Sequence, residues 1–511
     1  MTDVATSTAA GAGTLPARVD VLIVGAGISG IGAAYHLADQ MPGTTFAVVE
    51  SQASFGGTWR THRFPGIRSD SDLYTFGYRF KPWVGAPIAT AEEINRYLGE
   101  VIDDNDLGPH IHYRHQVTGA SWSSATATWT VTVEDRGAGA GHDPVVHTVV
   151  TPFLWMCQGY YRHAQGYTPE WPGMDRFQGR IVHPQTWPDD LDVTGKRVIV
   201  IGSGATAATV VPAIAPIVEH VTVLQRSPTF FIPARNANDL ADTLRQLDVD
   251  ETWIHEITRR KILHDQAVFT RMAREQPELV RKELIKGVAD RLPEGYDVDR
   301  HFNPRYRPWQ QRIAFVPEGD LFAGISSGQA SMVTDEIDTF TETGIRTASG
   351  QELEADVIVT ATGFDLSVLG DIPFTVDGAP LDLAQTVTWR GMMFTGVPNL
   401  VWIFGYFRAS WTLRVDLVAD LVVRLLRHME AKGTPIVTPR LRPDADAGME
   451  LHSWIDPDDF NPGYLMRSMH RMPQRGDKPE WRHTQDYWAE KDALPAVDLD
   501  DGCLVYTSPP G

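Results

Sequence analysis

Two stretches of the chain carry the same order of hydrophobic and polar signals. Val19 to Val24 is a short apolar run broken only by Asp20. Gly25-Ala26-Gly27-Ile28-Ser29-Gly30 follows, and then a small-residue helical pattern through Leu37. A second apolar run, Thr45 to Val49, ends in Glu50. A run this short, bounded by glycine, reads as a buried strand, so the stretch predicts a strand–helix–strand unit with GxGxxG at its first turn. The pattern returns at Arg197–Ile201, with Gly202-Ser203-Gly204-Ala205-Thr206-Ala207, a helix to about Val218, a strand His220–Leu224 and then Gln225-Arg226-Ser227. Residues 235–300 change to helical periodicity (Trp253, Ile254, Ile257; Leu279, Val280, Leu284, Val288), and the run Arg259-Arg260-Lys261 within them reads as a solvated helix face. A further strand at Asp356–Thr360 and a helix at Asp416–Glu430 complete the outline.

The predicted class is α/β, with two Rossmann-like dinucleotide-binding domains and a helical insertion in the second. The expected division is a frayed tail over 1–18 and a first domain from 19–155 and 390–511. The second domain takes 156–234 and 325–389, and the insertion takes 235–324.

Composition narrows the function. Forty-five basic against sixty-five acidic residues leave a formal charge of −20, which argues against binding nucleic acid or anionic membranes. Cys157 and Cys503 are too isolated for a disulfide framework, a redox pair or a cysteine zinc site. No signal-peptide pattern opens the sequence, and the most apolar stretch, Val21–Ala38, is cut by four glycines. The expectation is a cytoplasmic protein without stable membrane insertion.

The glycine loops identify their ligands through the residue that ends the second strand of each unit. Both loops let a pyrophosphate approach a helix N-terminus, where free N–H groups stabilise its charge. Glu50 stands where a carboxylate accepts from both ribose hydroxyls and would repel a 2′-phosphate, so the first loop fits FAD or NAD. Arg226, with Ser227 beside it, stands at the matching place of the second loop, where a guanidinium suits the 2′-phosphate of NADP. Together they point to a flavoprotein that takes hydride from NADPH. Without a cysteine pair to reduce, oxygen is the leading acceptor.

Phe177-Gln-Gly179-Arg-Ile-Val-His183-Pro-Gln-Thr-Trp187-Pro188, between the two loops, resembles the FxGxxxHxxxW(P/D) signature of Baeyer–Villiger monooxygenases, within the class B flavoprotein monooxygenases. Gly56-Gly57-Thr58-Trp59-Arg-Thr-His-Arg-Phe64-Pro65-Gly66-Ile-Arg68-Ser-Asp70 resembles a second pattern of that family. The segments Arg63–Asp72, His301–Trp309, Pro317–Phe322 and Ala409–Leu413 look most like its ethionamide-activating branch.

The resemblance implies NADPH- and O2-dependent conversion of ketones to esters or lactones through a C4a-peroxyflavin and a tetrahedral adduct, with sulfoxidation of thioethers as a companion activity. It implies that Arg312 stabilises developing negative charge and that Asp70 orients Arg312. It places Gly25, Gly27, Ser29, Gly30, Glu50, Gly57, Thr58, Trp59, Asp70 and Val117 at FAD. Arg68, Gly202, Ser203, Gly204, Ala205, Thr206, Ala207, Arg226 and Ser227 fall at NADP, and His183 takes a conformational role on the linker. Neither the oligomeric state nor the physiological substrate is legible.

Departures from the family pattern are Gln311, where many members have lysine, together with Gln310, Thr61-His62 and Tyr406-Phe-Arg408. His110-Ile-His112-Tyr-Arg-His115 lacks a neighbouring carboxylate in a ligand pattern, so no metal is expected. Two other readings compete: a heteroatom oxygenase of the same class and a non-catalytic flavin-binding redox sensor. Intact glycine loops, Asp70 and Arg312 argue against the sensor.

Overall fold

The computed structural model describes residues 13–137 and 143–510. The expected tail lies outside the described residues up to position 12. From Gly13 onward it is docked, not frayed: Leu15 is buried in a hydrophobic cluster, and Arg18 bridges Val150 at a sheet edge.

The chain opens with β1 (Val21–Val24), α1 (Ile28–Gln40) and β2 (Phe46–Glu50), then adds β3 (Ile111–Tyr113) and β4 (Phe153–Met156). A second unit follows with β5 (Arg180–Val182), β6 (Arg197–Ile201), α2 (Ala205–Ile214) and β7 (His220–Gln225). Helices α3 (Glu251–Glu275) and α4 (Pro277–Ala289) precede β8 (Ala330–Thr334) and β9 (Val357–Thr360). The chain returns to the first unit with β10 (Leu400–Trp402) and α5 (Trp411–Lys432). The first sheet has the order β10-β4-β1-β2-β3 and the second β8-β7-β6-β9-β5; every pairing in both is parallel. Their central strands are buried on both faces, as uninterrupted Val/Ile/Leu runs require when helices cover a parallel sheet.

Element ends differ from the sequence expectations for local reasons. Helix α2 stops at Ile214, not Val218: Ala215 still has helical dihedrals (φ −49°, ψ −38°), but Pro216 has no N–H with which to continue the hydrogen-bond ladder. Helix α5 begins at Trp411, five residues earlier than expected, and ends at Gly433 in the left-handed conformation (φ 63°). The strand Phe374–Val376 pairs with His115–Ser123 in a third sheet, so the chain rejoins the first unit before the boundary expected at 390.

Arg259 is a further correction. It is buried on α3, and its guanidinium donates to the carbonyls of Tyr74 (2.9 Å), Thr75 (3.3 Å) and Gly77 (2.9 Å). These carbonyls close the short helix Leu73–Phe76, whose last turn has no further residues to supply donors. Arg260 and Lys261 do face solvent, paired one turn away with Glu256 and Asp265. Among the described residues, no helix is long and apolar enough to cross a membrane.

Candidate functional site

Both glycine turns lie at the carboxyl ends of their sheets, where open α/β folds place ligands. They open into one cleft of about 420 Å³. At the first turn Gly25 has φ 103°, and a Cβ on Gly30 would fall 1.8 Å from its carbonyl oxygen, so strand and helix approach only because both are glycine. Helix α1 starts at Gly27 without a side-chain cap, leaving its first N–H groups to the cleft. Glu50 is buried at the end of β2; one carboxylate oxygen accepts from the Ala26 N–H (2.7 Å) and the other from that of Gln52 (2.7 Å). The oxygen facing Gln52 also accepts from the Ser51 hydroxyl (3.3 Å), so the oxygen facing Ala26 is the one that keeps a lone pair for a ligand hydroxyl.

Gly57, Thr58 and Trp59 line the cleft beside this turn, with Gly57 packed against Gly27, while Ser29 accepts from the indole N–H of Trp411 (2.8 Å). Gly30 packs behind this surface. Val117 belongs to the core of the third sheet and is not part of the cleft wall.

The second turn repeats the construction. Gly202 has φ 117°, and helix α2 begins uncapped at Gly204, which faces the cleft with Ala205 and Thr206. Ala207 fills the third motif position and is buried against the sheet. Ser203 turns away and shares a hydrogen bond with Thr229 (3.0 Å). Arg226 and Ser227 are exposed beyond β7, outside the cleft wall, and Arg226 makes no ion pair among the described residues. Arg68 is engaged: its guanidinium forks onto Asp320 (2.5 and 3.1 Å) and donates to the Ala208 carbonyl on α2. It therefore ties the first unit to the second.

Asp70 and Arg312, separated by 242 positions, meet in this cleft. Arg312 donates to Asp70 Oδ2 at 3.2 Å, with about a third of each side chain exposed. Neighbouring groups hold Arg312 in place: Trp309 at φ 64° turns its loop, and Asn461 N–H donates to the Gln310 carbonyl at 2.9 Å. The loop thus presents a fixed cation in the cleft onto which both helix N-termini open.

His183 accepts from the Gln185 N–H with Nδ1 (3.1 Å), so Nε2 carries the proton donated to the Gly363 carbonyl (3.0 Å). Burial lowers its pKa, which keeps this neutral tautomer. The ring links the connector between the units to Gly363 on the cleft wall. His62, also on the wall, is pushed down to about 4 by burial and then by His163 and His183. It is neutral at physiological pH.

Several wall residues escaped sequence reasoning: Gln158, Tyr160 and Tyr161 beyond β4, Phe364 beyond β9, and Tyr464. The first four follow strands that end at the cleft, and that position was the available signal. Tyr464 follows no strand end. The structure also revises the histidine stretch. Pairing of His115 with Asp135, and of Val133 with His147, sets His115, Asp135 and His147 on one face, with ligand atoms within 4.8 Å of one another. Cross-strand neighbours supply the carboxylate that linear spacing hid. His110 instead stacks on Phe46.

Comparison with known proteins agrees with this geometry. Residues 23–84 match the NAD(P)-binding Rossmann-like domain model, and residues 87–241 match the flavin-binding monooxygenase-like model. The FAD-containing monooxygenase EthA of Mycolicibacterium smegmatis is 42% identical over 490 residues, covering 96% of this chain and 97% of that protein. The chain belongs to the flavin-binding monooxygenase family. Another member, the probable FAD-binding monooxygenase AlmA of Acinetobacter baylyi, is 42% identical over 491 residues, 96% of each chain. The fold is also that of two solved structures. One is an oxidized steroid monooxygenase bound to NADP, at TM-score 0.74 and 24% identity over 96% of this chain and 100% of that one. The other is the cyclohexanone monooxygenase of Rhodococcus sp. Phi1 bound to NADP+, at TM-score 0.71 and 21% identity over 97% and 100%.

Proposed function

We propose that this family member uses FAD, NADPH and O2 to insert an oxygen atom beside a ketone carbonyl, giving an ester or lactone, and also oxidises thioethers. The observation that carries the reading is the Arg312–Asp70 pair, which shares one cleft with two uncapped helix N-termini. The residues fit the cofactors. Glycine at 25, 27 and 204 lets phosphates reach backbone N–H groups, and Glu50 is shaped for ribose hydroxyls. FAD, when bound, would take electrons from NADPH and pass them to O2, which supplies the inserted oxygen atom and leaves its other atom as water.

The chain's own part is electrostatic. Attack on a ketone turns the carbonyl oxygen into an anion. A guanidinium already in place beside it stabilises that anion without reorganising, and more strongly where water is excluded. Asp70 fixes the direction of the guanidinium. Tyr160, Phe364 and Trp411 supply the apolar wall. Product analysis with linear, cyclic and aryl ketones beside thioethers tests the reading. Ester formation supports it; sulfoxide without ester would assign the protein to heteroatom oxygenation.

Two predictions follow from the cofactor sites. Heat-released flavin should co-elute with FAD, since Glu50 and the first glycine turn build a dinucleotide site; FMN alone would contradict this. Arg226→Ala should raise the KM for NADPH roughly 10- to 100-fold, the loss of about 1.5–3 kcal/mol from a charge-assisted pair with the 2′-phosphate. The KM for NADH should barely move, whereas equal losses with both cofactors would make Arg226 structural.

A further inference from the structure

Tyr464 stands on the same wall as Arg312, and its hydroxyl oxygen is buried without a hydrogen-bond partner among the described residues. The Nε–H of Arg312 is likewise buried and unpartnered. A buried phenol hydroxyl and a buried guanidinium Nε–H left without acceptors carry a desolvation cost, which a ligand acceptor relieves while the other arm of the guanidinium stays on Asp70. Tyr306 and the Gln158 amide on the same wall also carry buried polar atoms without partners among the described residues, whereas the phenols packed against Tyr464 are occupied. Tyr160 and Tyr161 bond to each other at 2.6 Å, and Tyr160 stacks on Trp411 at 5.0 Å with 9° between the rings. Tyr464 packs edge-on against Tyr161 at 5.9 Å, and its hydroxyl lies beside that of Tyr160 without a well-formed hydrogen bond to it.

The segment that carries Tyr464 is stitched to the loop that carries Arg312. Asp459 is the knot. Its carboxylate and carbonyl accept from Arg408 (2.8 and 2.7 Å) and from Arg307 (2.8 and 2.9 Å). Arg408, almost wholly buried, also donates to the Trp309 carbonyl at 3.2 Å. Two departures from the family pattern noted in the sequence, Gln310 and Arg408, thus belong to one clamp. That clamp holds the segment of Tyr464 against the loop of Arg312, and both residues line the cleft.

We propose that Tyr464 is a substrate-binding and specificity-determining residue: its hydroxyl donates to the carbonyl oxygen of the substrate, sharing that oxygen's two lone pairs with Arg312. The inference rests on the proposed ketone reading and adds the group that selects for a carbonyl. The favoured ligand has one strong acceptor oxygen on an otherwise apolar body, matching two donors set in a largely aromatic wall.

The test compares Tyr464→Phe with the wild type, both purified with flavin bound, by equilibrium dialysis. The probes are acetophenone and ethylbenzene, which share a skeleton and differ in the carbonyl. Wild type should bind acetophenone more tightly than ethylbenzene. Tyr464→Phe should weaken acetophenone about 3- to 10-fold, the scale of one hydrogen bond, and leave ethylbenzene and flavin content unchanged. Equal weakening of both probes, unchanged binding of both, or a wild type that does not prefer acetophenone each overturns the assignment. Products of the wild type judge the reaction separately. Sulfoxide without ester would defeat the ketone reading while leaving a carbonyl-selective binding result standing.

Discussion

Arg312→Ala should purify yellow, accept electrons from NADPH, and release hydrogen peroxide in place of ester. The expectation follows from the division of labour in the cleft. The first glycine turn, Glu50 and the Gly57–Trp59 wall are built without Arg312, so flavin content should match the wild type. Reduction by NADPH should slow but persist, because Arg312 shares the cleft with Gly204–Thr206 without supplying their N–H groups. In the proposed reaction, oxygen transfer is the step that needs the cation. Removing a preorganised donor from a developing oxyanion costs about 10²- to 10³-fold, so ester formation should fall by at least about 10²-fold. Asp70→Ala should show a weaker form of the same defect, since Asp70 acts through the 3.2 Å contact to the guanidinium. Ester and peroxide are measured against NADPH consumed. A wild-type ester yield in Arg312→Ala would mean that oxygen transfer does not depend on this guanidinium.

Much of this scaffold was legible because its signals are local. A strand, a glycine turn and a helix occupy consecutive residues, and the buried runs Val21–Val24 and Arg197–Ile201 sit where hydrophobic periodicity puts them. Helix ends were less legible, since Pro216 and Gly433 act one or two residues beyond the element they stop. The pairing of Asp70 with Arg312 was reached through family resemblance, not through periodicity, as no spacing rule connects residues 242 positions apart. Tyr464 was not reached at all. Its place depends on Asp459 gathering Arg307 and Arg408, contacts that exist only after the chain returns from the second unit. Arg259 failed for a related reason. A charged residue in a basic run reads as solvated unless its acceptors are known, and here they are three carbonyls nearly 200 positions away.

Breaking the buried pair between Arg414 and Glu490 should have the largest effect on stability. Arg414 is fully buried in α5, and its Nε–H donates to Glu490 at 2.9 Å. Its remaining donors reach the carbonyls of Phe404 (2.8 Å) and Arg390 (2.6 Å), while Glu490 also accepts from Tyr406 (2.6 Å) and Thr484 (2.7 Å). Glu490→Ala leaves the guanidinium without its counter-charge and two hydroxyls without an acceptor. A buried pair broken on one side costs about 3–5 kcal/mol. In a chain with two dinucleotide-binding units this appears as local loosening, so flavin-release temperature and near-ultraviolet circular dichroism are the measurements, not one global midpoint. Both should shift down by several degrees, and the cleft should loosen with them, because Tyr406 lies on its wall. Arg414→Met/Glu490→Ala distinguishes charge from packing. Once the uncompensated guanidinium is gone, the double variant should lose less than the two single losses combined. Strict additivity, or a Glu490→Ala protein within about 0.5 kcal/mol of wild type, would mean that the apolar face of α5 holds this region without the ion pair.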